Sequence, residues 1–190
     1  MLTKFEIISD KSISQAFARV NIYELESALD YIKNLPYGRT SSRNDLRLVL
    51  SEKKGSCSSK HGLIKQLAIE NDWKAVQLFL GIYLMNSSNT PRIGDILLQA
   101  GIAELPEAHT YLKIDGTLVD LTFKENKVPK FLDSLYYEEE ISADQINHYK
   151  RNLHRKFLDN WSAEKNLGFS LEQLWQIREK CILALSKPKN

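Results

Sequence analysis

One short segment restricts the fold of this chain more than any other, and it has the sequence HTYLKIDGTLVDLTF. Asp115 and Gly116 tolerate the left-handed backbone of a tight type I′ turn, and the runs on both sides are rich in strand-forming residues. The segment therefore predicts a β-hairpin that pairs residues whose numbers sum to about 231. This register puts Asp120 opposite Tyr111 and diagonal to His109, at about 7 Å.

Amphipathic patterns predict helices before this hairpin. Residues 12–35 fit one or two helices that end before Pro36. From Cys57 onward, apolar residues again recur at helical spacing, and either Ser56 or Ser58 is suited to cap the start of that helix. The next run, KAVQLFLGIYLM, is typical of a buried strand. Helices and an antiparallel hairpin in one chain predict an α+β fold.

The C-terminal third predicts an α-helical hairpin over residues 142–186. Ser142 and Ser170 each begin a capping-box pattern ahead of a long amphipathic stretch, and a short polar break separates the two stretches. Trp161 and Trp175 lie near the apolar faces of these helices. We expect them to be core anchors rather than platforms for a substrate.

Composition sets further limits. With 190 residues and 43% hydrophobic content, the chain suits one domain with a substantial core, so we expect a single domain over residues 1–190. A net charge of +2 gives no general reason to expect nucleic acid or anionic lipid as a partner. A basic cluster at residues 150–156 fits the solvated face of an amphipathic helix. No apolar run has the length of a signal peptide or a membrane span, so we expect a cytoplasmic protein with reduced thiols.

The two cysteines have different surroundings, and neither belongs to a CxxC zinc pattern. Cys181 shares helical spacing with Leu174 and Leu185, which predicts a small core residue. Cys57 follows Gly-Ser at the predicted start of a helix. Unsatisfied N–H groups there carry roughly half a positive charge and favour a thiolate. Cys57 is therefore the candidate nucleophile.

A nucleophilic cysteine also needs a base and a group that orients the base. His109, on the first strand of the predicted hairpin, supplies the base, and Asp120 supplies the orienting carboxylate. His61 offers a competing arrangement, because it follows Cys57 by four residues on the same helical face. We favour His109, since a histidine on the nucleophile's own helix cannot readily reach over a reacting carbonyl and His61 has no evident carboxylate partner. The remaining histidines have no evident partner in the sequence.

These residues resemble the core of the transglutaminase-like superfamily. The resemblance covers about residues 49–123 and depends on GSC, on a buried strand, and on EAHTYLKIDGTLVDLT, in which His and Asp are 11 residues apart. It implies that Cys57 is the nucleophile, His109 the general base and acid, and Asp120 the orienting carboxylate. It also implies a papain-like fold, in which an antiparallel sheet packs on the helix that bears the nucleophile.

The chain departs from the family pattern beside two of these residues. It has His-Thr-Tyr and Asp-Leu-Thr where the family often has His-Ala-Trp and Asp-Pro-Thr. The order of the three groups is kept, and the substrate preference is left open. Family members complete the oxyanion hole with an upstream side chain, for which Tyr37 is the candidate; the alternative is a turn aromatic that covers the core. Ser58 and His61 are candidates to line the site.

The resemblance implies two functions of different classes. As an enzyme, the chain forms a thioester through Cys57 and passes the acyl group to water or to an amine. Hydrolysis of a peptide or protein amide is favoured over transglutamination, because no feature dedicated to excluding water and no calcium loop is recognisable. No metal or cofactor is implied. As the alternative, an inactive scaffold serves as an interaction module, with the helices of residues 142–186 as a binding or homo-oligomer surface, unless that hairpin simply completes the core.

Overall fold

The computed structural model describes residues 5–124 and 130–187. Over these two ranges the chain is mixed α+β, with seven α-helices and a four-stranded antiparallel sheet. The α+β class expected from the sequence is therefore confirmed.

The elements follow the chain in this order. The α-helices are α1 (Ser12–Ala18), α2 (Leu25–Asn34), α3 (Leu48–Ser51), α4 (Cys57–Glu70), α5 (Gly94–Gln99), α6 (His148–Glu164) and α7 (Leu171–Ser186). The strands are β1 (Val76–Asn86), β2 (Glu104–Ile114), β3 (Thr117–Val119) and β4 (Leu135–Glu140), in sheet order β3-β2-β1-β4. Short 3-10 helices cover Pro91–Ile93, Lys130–Ser134 and Ala143–Ile146. The helical region predicted over residues 12–35 is thus two helices, and the predicted buried strand is β1.

The hairpin between β2 and β3 has the predicted turn and register. Its two central residues have φ of 49° and 75°, the left-handed values that a type I′ turn requires. The numbers of paired residues sum to 231, from Ile114–Thr117 beside the turn to Leu112–Val119. The pairing ends there, so Asp120 lies one residue beyond the last pair.

The described residues form two compact units, and the strands β1, β2 and β4 each contribute residues to both. The first unit comprises residues 5–80, 110–124 and 139–147. The second comprises residues 81–109, 130–138 and 148–187. The expectation of a single domain stays a prediction.

Helix α4 is surrounded by other elements of the first unit. It contacts α1, α2, α3 and the 3-10 helix at residues 143–146. Its buried residues include the polar Lys60 and His61 as well as its apolar stripe. Gly62 permits a close approach, because a Cβ there would lie 2.8 Å from Ile146 Cδ1. A helix enclosed in this way must supply partners for its buried polar groups, which otherwise lose the hydrogen bonds of water.

The second unit contains the helical hairpin expected for the C-terminal third. Helix α6 packs against α7, and α7 also contacts α5. Ser170 caps α7 through the predicted capping box. The box at Ser142 belongs instead to the 3-10 helix Ala143–Ile146, and α6 begins at His148. The expected single helix is interrupted because Asn147 has φ −101° and ψ −97°, outside the helical region.

Two expectations about this hairpin change with the structure. Trp161 is buried, as expected for a core anchor, whereas Trp175 is partly exposed and three arginine guanidinium groups lie 5.3 to 5.7 Å from its ring centroid. The basic cluster is not a wholly solvated face, because Lys150 and His154 are buried. Buried polar side chains need hydrogen-bond or charged partners within the protein, which distinguishes these two from the exposed members of the cluster.

Strand β4 was not predicted from the sequence. Its residues, LYYEEE, alternate between half-buried and exposed positions at the edge of the sheet. Glutamate is uncommon in strands, so the three glutamates obscure the alternating strand pattern in the sequence. Their charges at the edge of the sheet discourage pairing with another chain. Within the ranges 5–124 and 130–187, no helix combines the length and the apolar composition needed to cross a membrane.

Candidate active site

Cys57 is the first residue of α4, as the sequence predicted. Ser56 caps the helix: its Oγ accepts a hydrogen bond from the Ser59 N–H at 3.4 Å, and Ser59 Oγ accepts one from the Ser56 N–H at 2.9 Å. The cysteine retains 9% of its surface exposure, and its Sγ lies 4.0 Å from Ser58 Oγ. The thiol therefore belongs to a well-formed helix start, where the helix dipole favours negative charge.

Gly55 precedes this helix because there is no room for a side chain at this position, and not because its backbone conformation is unusual. Its φ is not positive, so the glycine does not provide a left-handed turn into the helix. A Cβ at this position would lie 2.7 Å from Lys60 Cγ and 3.1 Å from Ser59 Oγ. The segment before Cys57 thus runs directly against the buried stem of Lys60.

Asp120 is buried beside the same helix, although 63 positions separate it from Cys57 in the sequence. Its Oδ1 accepts hydrogen bonds from the Thr122 N–H at 2.9 Å and from Thr122 Oγ1 at 2.5 Å. The same oxygen lies 3.5 Å from His61 Nε2. The chain after β3 therefore turns so that this carboxylate faces α4.

His61 is fully buried, and both of its ring nitrogens contact backbone groups. Nε2 accepts a hydrogen bond from the Leu121 N–H at 2.7 Å, and Nδ1 lies 2.7 Å from the Cys57 carbonyl oxygen. Because Nε2 is an acceptor, the hydrogen of the neutral ring is on Nδ1, which donates to that carbonyl. Asp120 lies 3.5 Å from His61 Nε2, so a carboxylate is near this imidazole, but a neutral ring with its hydrogen on Nδ1 does not donate to it.

Lys60 was missed by sequence analysis, and it is fully buried. Its Nζ donates to the carbonyl oxygens of Leu35 at 2.6 Å, Leu121 at 3.1 Å and Thr122 at 3.2 Å. Burial lowers the pKa of Lys60 to about 8, against the opposing effect of negative charge on Asp120 and Cys57. The available signal was its spacing, because Lys60 precedes the buried Ile64 by four residues on the apolar stripe of α4.

His109 lies on β2 in the second unit, with 9% of its surface exposed. Its ring centroid is 4.6 Å from that of Phe131 and 6.2 Å from that of Tyr83. These two aromatic rings restrict the orientation of the imidazole. Cys57 and Asp120 belong to the first unit, so the meeting of all three side chains stays a prediction.

The remaining site candidates lie close to the start of α4. Tyr37 forms a parallel bridge with Gly55, and its ring centroid is 5.0 Å from that of Phe123. Ser58 is the second residue of α4. Tyr37 thus pairs with a residue only two positions before Cys57, while its role in an oxyanion hole stays a prediction.

Cys181 has the buried setting expected for it. It lies within α7 and is fully buried, and neither Cys181 nor Cys57 forms a disulfide. Burial raises the pKa of the Cys181 thiol to about 11, and the negative charge of Glu107 acts in the same direction. Cys181 is therefore an internal reference for an inert thiol.

A second set of buried charged groups lies in the second unit, and we call it the Glu107 network: Glu107, Lys150, His154 and Arg178. Arg178 binds Glu107 through two hydrogen bonds, from Nε at 2.8 Å and Nη2 at 2.6 Å. His154 Nε2 contacts the Pro106 carbonyl oxygen at 2.8 Å and lies 3.8 Å from Glu107. The expectation that His154 has no partner is therefore wrong.

The pKa values in this network follow from burial and charge. Burial opposes ionisation of Glu107, but the neighbouring basic groups, Arg178 foremost among them, together hold the pKa of the carboxyl below its usual range. Burial lowers the pKa of His154 to about 4, although the charge of Glu107 opposes this change. At neutral pH the network therefore pairs an ionised carboxylate and a guanidinium with a neutral imidazole.

Among the described residues, no group of three or more His, Cys, Asp or Glu side chains is arranged to hold a metal ion. Comparisons with protein-family models, with curated proteins and with solved structures found no match to this chain. Its function must therefore be inferred from its own residues and their geometry.

Proposed function

We propose that this chain is a transglutaminase-like cysteine hydrolase with a papain-like core. Cys57 is the nucleophile, His109 the general base and acid, and Asp120 the group that orients the imidazole. The substrate is an amide of a peptide or protein, and the intermediate is a thioester on Cys57.

One observation carries the proposal: Asp120 is buried against the helix that begins with Cys57. The Asp120 carboxylate lies 3.5 Å from His61, and the Cys57 carbonyl oxygen lies 2.7 Å from the same imidazole. Burying an ionised carboxylate is costly unless hydrogen bonds compensate, and Thr122 supplies two of them. In a Cys-His-Asp triad the carboxylate orients the histidine that activates the thiol, so a buried carboxylate beside this helix supports that role for Asp120.

The chemistry proceeds in two balanced steps. Cys57 Sγ attacks the amide carbon, and the thiol proton passes to His109 and then to the leaving amine as the C–N bond breaks. Water then attacks the thioester while His109 accepts a proton from it. The C–S bond breaks, and that proton returns to the sulfur as the carboxylic acid leaves. The positive end of α4 stabilises the negative charge on sulfur and on the tetrahedral oxygen.

The reactivity of Cys57 tests this proposal. Alkylation by iodoacetamide is followed by mass spectrometry from pH 5 to pH 10, and trypsin separates the two cysteines into different peptides. We expect the alkylation of Cys57 to have a midpoint well below about 8.5, because a helix start and a histidine favour the thiolate. Cys181 is the internal control, because its pKa of about 11 keeps it a thiol over most of this range.

Two variants connect this reactivity to the proposed groups. His109→Ala and Asp120→Asn are both expected to raise the midpoint for Cys57 and to leave Cys181 unchanged. Release of nitrophenol from p-nitrophenyl acetate measures formation of the thioester, with Cys57→Ser as the blank. Adding a primary amine shows whether the acyl group is transferred to the amine or hydrolysed by water. An ordinary thiol midpoint at Cys57 that His109→Ala does not change would contradict the proposal and favour an inactive scaffold.

A further inference from the structure

We propose that Lys60 and His61 are positioning residues that lock Asp120, Leu121 and Thr122 onto the helix that carries Cys57. The inference rests on the proposed function, because it gives the lock the task of holding the orienting carboxylate. We call Lys60, His61 and the segment Asp120–Thr122 the Leu121 lock.

The lock holds both polar backbone groups of one residue. His61 Nε2 accepts from the Leu121 N–H at 2.7 Å, while Lys60 Nζ donates to the Leu121 carbonyl oxygen at 3.1 Å. These two side chains are neighbours on α4 and are fully buried. A residue whose N–H and C=O are both bound by one helix cannot rotate or slide along that helix without breaking a buried hydrogen bond, which is costly.

The position of the lock along the chain explains why it is needed. The pairing of β2 with β3 ends at Leu112–Val119, so Asp120 is the first residue that the strand pairing no longer holds. The hydrogen bonds from α4 begin at the next residue, Leu121. Side chains of α4 thus replace the missing strand pairing at the one place where a carboxylate must keep a defined position.

Burying the ammonium group of Lys60 would be unfavourable if the side chain only filled space. An apolar residue of similar volume would fill the same space without desolvating an ammonium group. Lys60 instead joins two segments, because its Nζ also binds the Leu35 carbonyl oxygen at 2.6 Å at the end of α2. Gly55 leaves room for the lysine stem, since a Cβ there would lie 2.7 Å from Lys60 Cγ. The space, the charge and the three carbonyl groups all fit a lysine at this position.

The charge of Lys60 also acts on the thiol. Lys60 follows Cys57 by three residues, so the two lie on one face of α4, and negative charge on Cys57 and Asp120 favours the protonated lysine. By reciprocity the ammonium group favours the thiolate and the ionised carboxylate. A positioning lysine therefore has two measurable effects, one on backbone mobility and one on the titration of Cys57.

Lys60→Met tests both effects, with Lys65→Met as the matched control. Lys65 lies on the same helix and also donates to a backbone carbonyl, that of Val76 at 2.8 Å, but it is two turns from Cys57. The mobility readout is hydrogen exchange at the Thr122 N–H, which donates to Asp120 at 2.9 Å, whereas Lys60 binds the carbonyl oxygen of the same residue. We expect Lys60→Met to speed this exchange by about tenfold or more, the equivalent of one net hydrogen bond, and Lys65→Met to leave it unchanged.

The second readout is the pH midpoint for alkylation of Cys57. Lys60→Met is expected to raise this midpoint, whereas Lys65→Met is expected to leave it unchanged. A general loosening of the core would affect both variants alike. Gly55→Ala, which crowds the lysine stem without removing the charge, is expected to speed exchange at Thr122 as well. If Lys60→Met does not fold by circular dichroism, His61→Phe replaces it with the Thr122 amide as the same readout.

The outcomes separate this inference from the proposed function. Normal protection of the Thr122 amide in folded Lys60→Met or His61→Phe overturns the lock, whatever Cys57 does. Faster exchange with an unchanged Cys57 midpoint overturns the task that we assign to the lock. An ordinary thiol midpoint in the unmodified protein overturns the proposed function alone, and the Thr122 amide still decides whether the lock exists.

Discussion

The two units each contain a set of buried polar side chains, and the two sets are built differently. In the Leu121 lock, Lys60 and His61 bind backbone atoms and hold three consecutive residues in place. In the Glu107 network, Arg178 and Glu107 bind each other through their side chains and join α7 to β2. The first arrangement controls the position of a short segment, and the second joins two elements.

This difference predicts that substituting a side chain has different consequences for stability in the two sets. A side chain that binds backbone carbonyls can be removed at the cost of hydrogen bonds, because no opposite charge depends on it alone. A buried carboxylate that loses its guanidinium becomes an uncompensated charge, which is far more costly. We therefore expect the Glu107 network to dominate stability and the Leu121 lock to dominate the geometry around Cys57.

The largest effect is expected from Arg178→Met. This substitution leaves the buried Glu107 carboxylate without its guanidinium, and the free energy of unfolding should fall by about 3 to 5 kcal/mol. Arg155→Met is the matched control, since Arg155 also lies over Trp175 but pairs with the exposed Glu172. Urea unfolding of both variants checks the prediction, and equal losses would show that the buried pair of Arg178 with Glu107 stabilises the fold no more than the exposed pair of Arg155 with Glu172.

A smaller effect is expected from acid, through His154. Between pH 6.5 and about 4 the unfolded chain protonates this histidine while the folded protein keeps it neutral, so the unfolded state binds more protons. The free energy of unfolding should therefore fall by about 3 kcal/mol as the pH drops through this window, and the effect should level off below it. Glu107 adds a loss in the same direction at the low end, because its folded pKa is depressed.

His154→Gln sharpens this prediction. Glutamine can still donate to the Pro106 carbonyl but does not titrate, while Glu107, Arg178 and Lys150, which face the imidazole, stay in place. Urea unfolding at several pH values should show a shallower acid loss in this variant. His148→Gln, which removes an exposed histidine from the same helix, is the control, and an unchanged profile in His154→Gln would assign the acid loss to other groups.

The smallest effect on stability is expected in the first unit, from Thr122→Val. The substitution keeps the shape and the backbone N–H but removes the hydroxyl that donates to Asp120 at 2.5 Å. We expect a loss of about 1 to 2 kcal/mol, because the bond involves an ionised group. Urea unfolding gives the loss, and alkylation of Cys57 should change in parallel.

Thr117→Val is the matched control for this substitution, because Thr117 lies on β3 and is exposed. It should change neither readout. A loss in Thr122→Val greater than that of Arg178→Met would reverse the comparison between the two units.

Local features of the fold were predictable from the sequence. The type I′ turn at Asp115 and Gly116, the register of β2 with β3 and the start of α4 at Cys57 all depend on hydrogen bonds between residues close in sequence. Strand β4 was missed because its three glutamates oppose the strand pattern. The box at Ser142 was assigned to the wrong helix, because a single residue with a non-helical backbone separates the two.

The sequence alone determined where a thiol meets a helix start and where a histidine and an aspartate flank a tight turn. Only the tertiary structure decided that Lys60 is buried, that His61 faces Asp120 and that Arg178 neutralises Glu107 from 71 positions away. The physical reason is that capping and turn formation depend on neighbouring residues. The partner of a buried charge depends instead on which distant segments pack together, and the pattern along the chain does not encode that packing.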